Sequence, residues 1–210
     1  MLDLQEKEKK CTACGACMNI CPVDAITFSY KKDGLFLYPF VDEDKCIRCG
    51  KCDQICPIGR KVVVERYREP IVYAAAANYE ERKGSSSGAI FPLLARTIIN
   101  RGGCVVGAEF DTDWKLYLTI GSNEESINRY RQSKYVNTTP TNIYRDVKRF
   151  LDEGTFILFT GTPCQISGLY AFLQKDYDNL YTMDFICHGT PSDRLFRDYL
   201  DVVSKWKDNK

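Results

Sequence analysis

The sequence predicts an α+β protein in which a small cysteine-rich module precedes an α/β domain with a mostly parallel sheet. Two observations support this prediction. Eight of the 11 cysteines lie before residue 57. After residue 70, apolar runs of strand length alternate with amphipathic runs of helix length, which is the pattern of an α/β domain. The predicted domains are residues 1–62 and residues 71–210.

Composition and charge exclude several classes of protein. The 210 residues are 44% hydrophobic and 27% charged, as in ordinary globular proteins. A formal net charge of +1 gives no excess of positive charge for binding nucleic acid or an anionic membrane. The single histidine, His188, disfavours a catalytic triad or a three-histidine metal site.

The chain shows no signal-peptide pattern at its start and no apolar run of about 18 residues. We therefore expect no membrane span and a cytoplasmic location. Thiols stay reduced there, so a cysteine-rich segment indicates metal binding rather than disulfides.

The cysteine-rich module contains one pattern twice, C-x2-C-x2-C-x3-C-P. The first copy runs from Cys11 to Pro22 and the second from Cys46 to Pro57. Each cysteine of the second copy follows its counterpart by 35 residues, as Cys46 follows Cys11. This internal repeat indicates that a half-module has been duplicated.

The spacing within each copy is typical of [4Fe–4S] clusters. Three thiolates at two-residue intervals hold three corners of the cube from one tight loop, and the fourth cysteine reaches the other cluster. Structural zinc sites instead use cysteine pairs that are a dozen or more residues apart, often with histidine. Two ligand sets are predicted: Cys11, Cys14, Cys17 and Cys56 for one cluster, and Cys46, Cys49, Cys52 and Cys21 for the other. A module of about sixty residues buries little apolar surface, so removing the iron should unfold it.

Between the two copies, aromatic-rich runs at 26–30 and 35–40 flank a Lys-Asp-Gly turn and predict a β-hairpin. Their aromatic side chains either cover the clusters or form the core of the module. A charged connector follows at 61–70.

The second domain is predicted to alternate strands with helices. The predicted strands are 71–78, which we expect to be buried, 104–110, 115–120, 155–159 and 181–186. The predicted helices are 89–100, ended by Gly102 and Gly103, and 141–153, 165–174 and 193–207.

Two turns of this domain share a Gly-Thr-Pro sequence that leads from strand to helix. Thr162 and Thr190 suit the N-cap, and the prolines after them suit the first helical position. Gln165 and Asp193 stand where a capping box would close. Helix N-termini at the carboxyl ends of strands are where open α/β sheets bind ligands.

A third loop, residues 84–88, has the sequence Gly-Ser-Ser-Ser-Gly and precedes a predicted helix. Such a loop suits a phosphate, although an ordinary loop is the alternative. The chain has no Walker A sequence and no G-x-G-x-x-G, which argues against an NTPase or an ordinary NAD site. Cys104 is predicted to be a core residue. Cys164 and Cys187 are redox-active, ligands to a third centre, or ordinary turn cysteines.

The order of four segments resembles the coenzyme F(420) hydrogenase/dehydrogenase beta-subunit family. The segments are KGSSSG from Lys83, SKYVNT from Ser133, FTGTPCQISGL from Phe159 and DFICHGTPS from Asp184. The resemblance implies an iron–sulfur flavoprotein with FAD in the α/β domain. It places the following residues at or near the flavin: Gly84, Ser85, Ser86, Ser87, Gly88, Lys134, Tyr135, Thr160, Gly161, Thr162, Pro163, Cys164 and Gln165. Lys134 would neutralise a phosphate or the reduced ring; an ordinary surface lysine is the alternative.

The expected function is an oxidoreductase that passes electrons between a flavin and two [4Fe–4S] clusters. It would use a redox partner protein or subunit, with a deazaflavin or another two-electron donor. One alternative is a ferredoxin-type carrier whose second domain docks a partner, and another is a flavin-free reductase that uses Cys164 or Cys187. Family members usually run well beyond the CHGTPS segment, so the chain is expected to be a fragment or a shortened member.

Overall fold

The structure, a computed structural model, describes residues 10–32, 34–58 and 69–208. The cysteine module contains α1 (Ala16–Ile20), β1 (Ile26–Tyr30), β2 (Leu37–Val41) and α2 (Lys51–Gln54). β1 and β2 pair antiparallel, with Ile26 opposite Val41, so the predicted hairpin is confirmed. Asp33 in its turn, residues 59–62 of the predicted domain and residues 61–68 of the connector lie outside the described residues.

The duplicated motif has the same backbone conformation in both copies. Gly15 and Gly50 precede α1 and α2 with φ of 83° and 71°. Two residues earlier in each copy, Ala13 and Arg48 have φ of 53° and 54°. Positive φ is uncommon for residues other than glycine. Its recurrence at equivalent positions shows that the sequence repeat is also a structural repeat.

The rest of the described chain is built around a four-stranded sheet. Its elements are α3 (Tyr79–Lys83), α4 (Ile90–Asn100), β3 (Cys104–Phe110), β4 (Leu116–Gly121), α5 (Glu124–Tyr130), α6 (Ile143–Asp152), β5 (Ile157–Thr160), α7 (Pro163–Leu173), β6 (Leu180–Met183) and α8 (Asp193–Asp208). The strand order is β4-β3-β5-β6. β3 pairs antiparallel with β4 and parallel with β5, and β5 pairs parallel with β6. The predicted fold class is confirmed.

Helices cover both faces of this sheet. Val106 and Phe159 point to a core shared with α6 and α7, whereas their neighbours Val105 and Leu158 point to a core shared with α4 and α5. Ala16 and Ile55 of the cysteine module belong to the core on the α6 and α7 side. The module therefore packs on that face of the sheet.

Two predicted strands are corrected. Residues 71–78 form no strand, and Ile71, Val72 and Tyr73 are 72%, 86% and 79% exposed. The apolar run has the length of a strand, but within the described residues it pairs with no other strand. The predicted strand 181–186 ends as β6 at Met183, because its partner β5 ends at Thr160.

The helix predictions differ from the structure mainly at their ends. Thr162 is the N-cap of α7 and Pro163 its first residue, as predicted. The corresponding prediction for Thr190 and Pro191 is wrong, because α8 begins at Asp193. The Ser192 hydroxyl accepts a hydrogen bond from the Leu195 amide at 3.0 Å and caps that helix instead.

The short helices α3 and α5 were not predicted. The side chains of Asn78 and Asn123 cap them, accepting from backbone amides three residues on. In the described part of the chain, no helix has the length and apolar character needed to cross a bilayer.

Candidate iron–sulfur and ligand sites

One predicted ligand set surrounds a cavity. A space of about 340 Å³ is lined by the four cysteines of that set, Cys21, Cys46, Cys49 and Cys52. The Ala25 amide donates to the Cys21 sulfur at 3.3 Å, a contact that stabilises a thiolate ligand. Across the described ranges, no three His, Cys, Asp or Glu side chains converge on the position of a single metal ion. The cavity and its four thiols fit a cluster.

In the other predicted set, the thiols of Cys14 and Cys17 are desolvated. Burial raises the pKa of Cys14 to about 12 and that of Cys17 further, and repulsion from Cys11 and Cys56 adds to both shifts. These four thiols are therefore close together. Iron–sulfur ligation needs thiolates, so it must release protons here.

Each set thus contains one cysteine from the other copy of the motif. Cys56 is an electrostatic neighbour of Cys14 and Cys17. Burial raises the pKa of Cys52, and the nearby Cys21 and Cys49 raise it too. The two copies of the motif therefore approach each other, and the exchange of the fourth ligand stays a prediction.

Helix α6 holds the module through Arg145. Its guanidinium donates to the carbonyl oxygens of Asn19 at 2.6 Å and Cys21 at 2.5 Å, and to the Asp24 carboxylate at 2.7 Å. The carbonyls at the end of α1 have no partner within the helix, so Arg145 satisfies groups that would otherwise need water.

Two buried polar side chains complete this contact. The Asn19 amide nitrogen donates to the carbonyls of Gly15 and Thr141, both at 2.9 Å. The Tyr144 hydroxyl lies 2.6 Å from the Cys14 carbonyl oxygen and 3.0 Å from that of Gln165. Tyr144 therefore connects the first cysteine loop with the start of α7.

Helix α7 lies directly against Cys14. A Cβ added at Gly168 would be 3.1 Å from both Cβ and Sγ of Cys14 and 3.0 Å from the Tyr144 hydroxyl. Cys164, one turn earlier, is an electrostatic neighbour of Cys14. The cavity between Cys14, Tyr144 and Gln165 has a volume of only about 10 Å³. The predicted cluster site that contains Cys14 is therefore close-packed against α7, the helix that follows the first Gly-Thr-Pro turn.

Residues 133–138 bring the Gly-Ser loop and the two Gly-Thr-Pro turns together. We call the place where these three predicted ligand loops meet the ligand junction. The Ser133 amide donates to the Ser86 hydroxyl at 2.8 Å, which places residues 133–138 against the Gly-Ser loop. The Asn137 amide donates to the Pro191 carbonyl at 3.0 Å, in the second Gly-Thr-Pro turn. The Gln165 side-chain amide donates to the Thr138 hydroxyl at 2.7 Å, in the first.

Two cations lie at this junction. Lys134 is half-buried and donates to the Arg131 carbonyl at 2.9 Å; burial lowers its pKa. The Arg131 side chain is 15% exposed and pairs with Glu81. A Cβ on Gly84 would be 2.8 Å from an Arg131 nitrogen. Within the described residues, the buried Nε of Arg131 has no hydrogen-bond partner, so the junction suits an anionic group.

Sequence reasoning missed Arg131 because it lies just before the segment that carries the resemblance and follows no recognisable pattern. Other predicted residues serve the scaffold. The Thr160 hydroxyl donates to the Val106 carbonyl at 2.7 Å, and the Gln165 side chain accepts from the Thr162 amide at 2.8 Å. Tyr135 is 76% exposed.

The remaining cysteines differ in environment. Cys104 is partly buried and packs against the core, as predicted. The Cys164 sulfur lies 3.1 Å from the Thr162 hydroxyl oxygen. The Cys187 sulfur accepts from the Gly189 amide at 3.4 Å, beside the exposed His188.

Comparison with protein families gives two matches. Residues 10–60 match the 4Fe-4S dicluster domain, and residues 154–208 match the C terminus of the coenzyme F420 hydrogenase/dehydrogenase beta subunit. They confirm the resemblance predicted from the sequence and support an iron–sulfur protein. Neither description mentions FAD.

Two curated proteins are similar to parts of the chain. A subunit of the F(420)H(2) dehydrogenase of Methanosarcina mazei is 24% identical over 166 residues, which are 74% of this chain and 46% of that protein. An uncharacterized polyferredoxin-like protein of Methanocaldococcus jannaschii is 58% identical over 31 residues, 15% of this chain and 18% of that protein. The matched segments span less than half the length of either relative.

Proposed function

We propose that the chain is an oxidoreductase component that exchanges single electrons through two [4Fe–4S] clusters and two electrons through a flavin-type ligand. Residues 1–62 would carry the clusters and residues 71–210 the ligand. The observation that supports this most is the position of α7: it begins in a predicted ligand loop, and at Gly168 it runs so close to Cys14 that an added Cβ would lie 3.1 Å from the cysteine sulfur. The cluster side and the ligand side thus share one helix.

On the cluster side, the two exchanged sets of four cysteines would hold the iron. Bound clusters would supply reversible one-electron chemistry at potentials set by their surroundings. The protein shields the loop around Cys14 and Cys17 from water, since the adjoining Ala13 and Ala16 are 8% and 1% exposed. Arg145, Asn19 and Tyr144 fix its distance from the sheet.

On the ligand side, the anionic tail of a flavin-type molecule would lie against residues 84–88 and Lys134. Serine hydroxyls, a half-buried lysine and the partly satisfied Arg131 guanidinium are suited to phosphate or carboxylate oxygens. The backbone N–H groups at the start of α7 add a second place for negative charge. The resemblance implies FAD, whereas the names of the matched family and of the Methanosarcina mazei relative point to coenzyme F420; both ligands carry a flavin-type ring and an anionic tail.

The identity of the ligand can be measured on the full chain, purified without oxygen and with its iron retained. Acid release shows whether FAD is already bound. Titration of the flavin-free protein with FAD and with coenzyme F420, followed by ligand fluorescence, shows which one binds. About one ligand per chain would support the oxidoreductase. No binding of either ligand, with the iron intact, would favour the electron carrier.

The proposed site can be tested with Lys134→Ala. Losing a charge-assisted contact to the anionic tail should weaken binding about tenfold or more. Lys148→Ala is the matched control, because Lys148 pairs with Asp152 on the exposed side of α6. Equal affinity of the two variants would show that the ligand does not bind at this junction.

A flavin-free reductase would instead lose its activity on Cys164→Ala or Cys187→Ala while the iron remains bound.

A further inference from the structure

The two copies of the cysteine motif share a backbone but differ in what they present. Ala13 and Arg48 occupy the same position in the repeat, both with positive φ, and Ala16 and Lys51 occupy another. The alanines are buried, whereas Arg48 and Lys51 are exposed. Since the backbone requires neither type of residue, the surroundings of each copy account for the difference.

The first copy of the motif faces the sheet domain. Its alanines lie where α6 and α7 approach. The Tyr144 hydroxyl contacts the Cys14 carbonyl, and α7 leaves no room beside Cys14 for a side chain at Gly168. Larger side chains than alanine would separate Cys14 from α7. This copy is therefore committed to the contact with the sheet domain.

The second copy is an outward face, formed by Ile47, Arg48, Cys49 and Lys51. Ile47 is 61% exposed, Cys49 is also exposed, and all four residues line the 340 Å³ cavity. Among the described residues, neither Arg48 nor Lys51 has an ion-pair partner within 4.0 Å. Glu43 is the acidic residue on the cavity wall, so the wall carries two positive charges and one negative charge.

We propose that this outward face docks an acidic one-electron carrier protein, which exchanges electrons with the iron held by Cys21, Cys46, Cys49 and Cys52. This inference rests on the proposed function and specifies its one-electron partner. Each transfer oxidises the reduced partner by one electron and reduces the chain by one electron. The electron then passes to the iron of the inward copy, which lies beside α7 and the ligand junction.

The composition of the face favours a protein over a small molecule. An exposed apolar residue beside exposed cations is a usual arrangement of a transient protein interface, where charge speeds association and a small apolar area gives contact. Arg48 and Lys51, which have no ion-pair partner in the described part of the chain, flank the exposed Cys49 and complement an acidic surface.

The experiment measures reduction of the iron–sulfur chromophore in the full chain by stopped-flow absorbance, without oxygen. The donors are a reduced acidic 2[4Fe–4S] ferredoxin and, for reference, reduced benzyl viologen. In the double variant Arg48→Gln with Lys51→Gln, the ratio of ferredoxin rate to viologen rate should fall about fivefold at low salt. Its rate with ferredoxin should also depend less on salt. The matched control is Arg101→Gln, an exposed arginine after α4.

The outcomes separate the two proposals. If the double variant keeps the unmodified ratio and salt dependence, the docking face is wrong while the cluster function stands. If Arg101→Gln lowers the ratio equally, overall charge is responsible and the docking face is again wrong. If viologen does not reduce the iron of the unmodified protein, the proposed function and the docking face fail together.

Discussion

The Tyr144 hydroxyl lies 2.6 Å from the carbonyl oxygen of Cys14, a predicted cluster ligand. Tyr144 belongs to the core of the sheet domain and is 1% exposed. The same hydroxyl lies 3.0 Å from the Gln165 carbonyl at the start of α7. One buried tyrosine thus fixes the first cysteine loop relative to the helix that leads from the ligand junction.

Tyr144→Phe should destabilise the protein by about 1–3 kcal/mol, because it leaves the partly buried Cys14 carbonyl without its donor. Iron should also be lost faster to a chelator. Tyr170→Phe is the control, since the Tyr170 hydroxyl lies 3.3 Å from that of Thr182, away from the cysteine module. Thermal unfolding and the rate of iron release measure both effects. Equal iron release from the two variants would contradict the role of Tyr144.

Gly168→Ala should reduce the iron content of the protein. The added methyl group would lie 3.1 Å from the Cys14 sulfur and 3.0 Å from the Tyr144 hydroxyl, in a region with almost no free volume. Overpacking of this kind costs about 1–3 kcal/mol. Ser167→Ala, at the neighbouring half-buried position of α7, is the control and should keep its iron. A Gly168→Ala protein with full iron content would contradict this prediction and show that α7 shifts to accommodate the methyl group.

Cysteine variants test the exchange of ligands between the two copies. If Cys21 binds with the second copy, Cys21→Ser and Cys46→Ser should perturb the same cluster and give matching EPR spectra. Cys56→Ser should likewise match Cys11→Ser. Cys104→Ser, in β3, should leave the spectrum of the unmodified protein. A Cys21→Ser spectrum that matches Cys11→Ser would show that each copy holds its own cluster.

Tyr30 gives a pH-dependent prediction. Its hydroxyl bonds to the buried Asp193 carboxylate, and burial with this contact raises the pKa of Tyr30 from 10.0 to about 12. Because the folded pKa is the higher one, the stabilisation is complete below pH 10 and disappears as the pH rises through about 12.

Tyr30→Phe should lower the thermal midpoint by about 2–6 °C near neutral pH, from a loss of about 1–1.5 kcal/mol. The difference from the unmodified protein should stay constant between pH 7 and pH 9 and shrink above pH 10. Thermal unfolding at intervals of one pH unit measures it. Tyr199→Phe, on the exposed side of α8, is the control. A constant difference up to pH 11 would contradict the assigned partner.

Strong local patterns could be predicted from the sequence. The four strand-forming runs of the sheet, the hairpin and α7 with its Thr162 cap follow from apolar periodicity and turn residues. The strand predicted at 71–78 was wrong because an apolar run needs a neighbouring strand to pair with. Pro191 was misplaced at a helix start because the Ser192 hydroxyl caps α8 and the Asp193 carboxylate is held by Tyr30 of β1.

The chemistry of the cysteine module and the fold class could be inferred from the chain alone, because both depend on the spacing of residues along it. Which copy of the motif faces inward is set by packing between distant elements. Arg145, Asn19 and Tyr144 act through contacts across more than 100 residues of sequence, from α6 to α1 and Cys14. Burial and hydrogen-bond partners at such separations follow from packing, which no local pattern encodes.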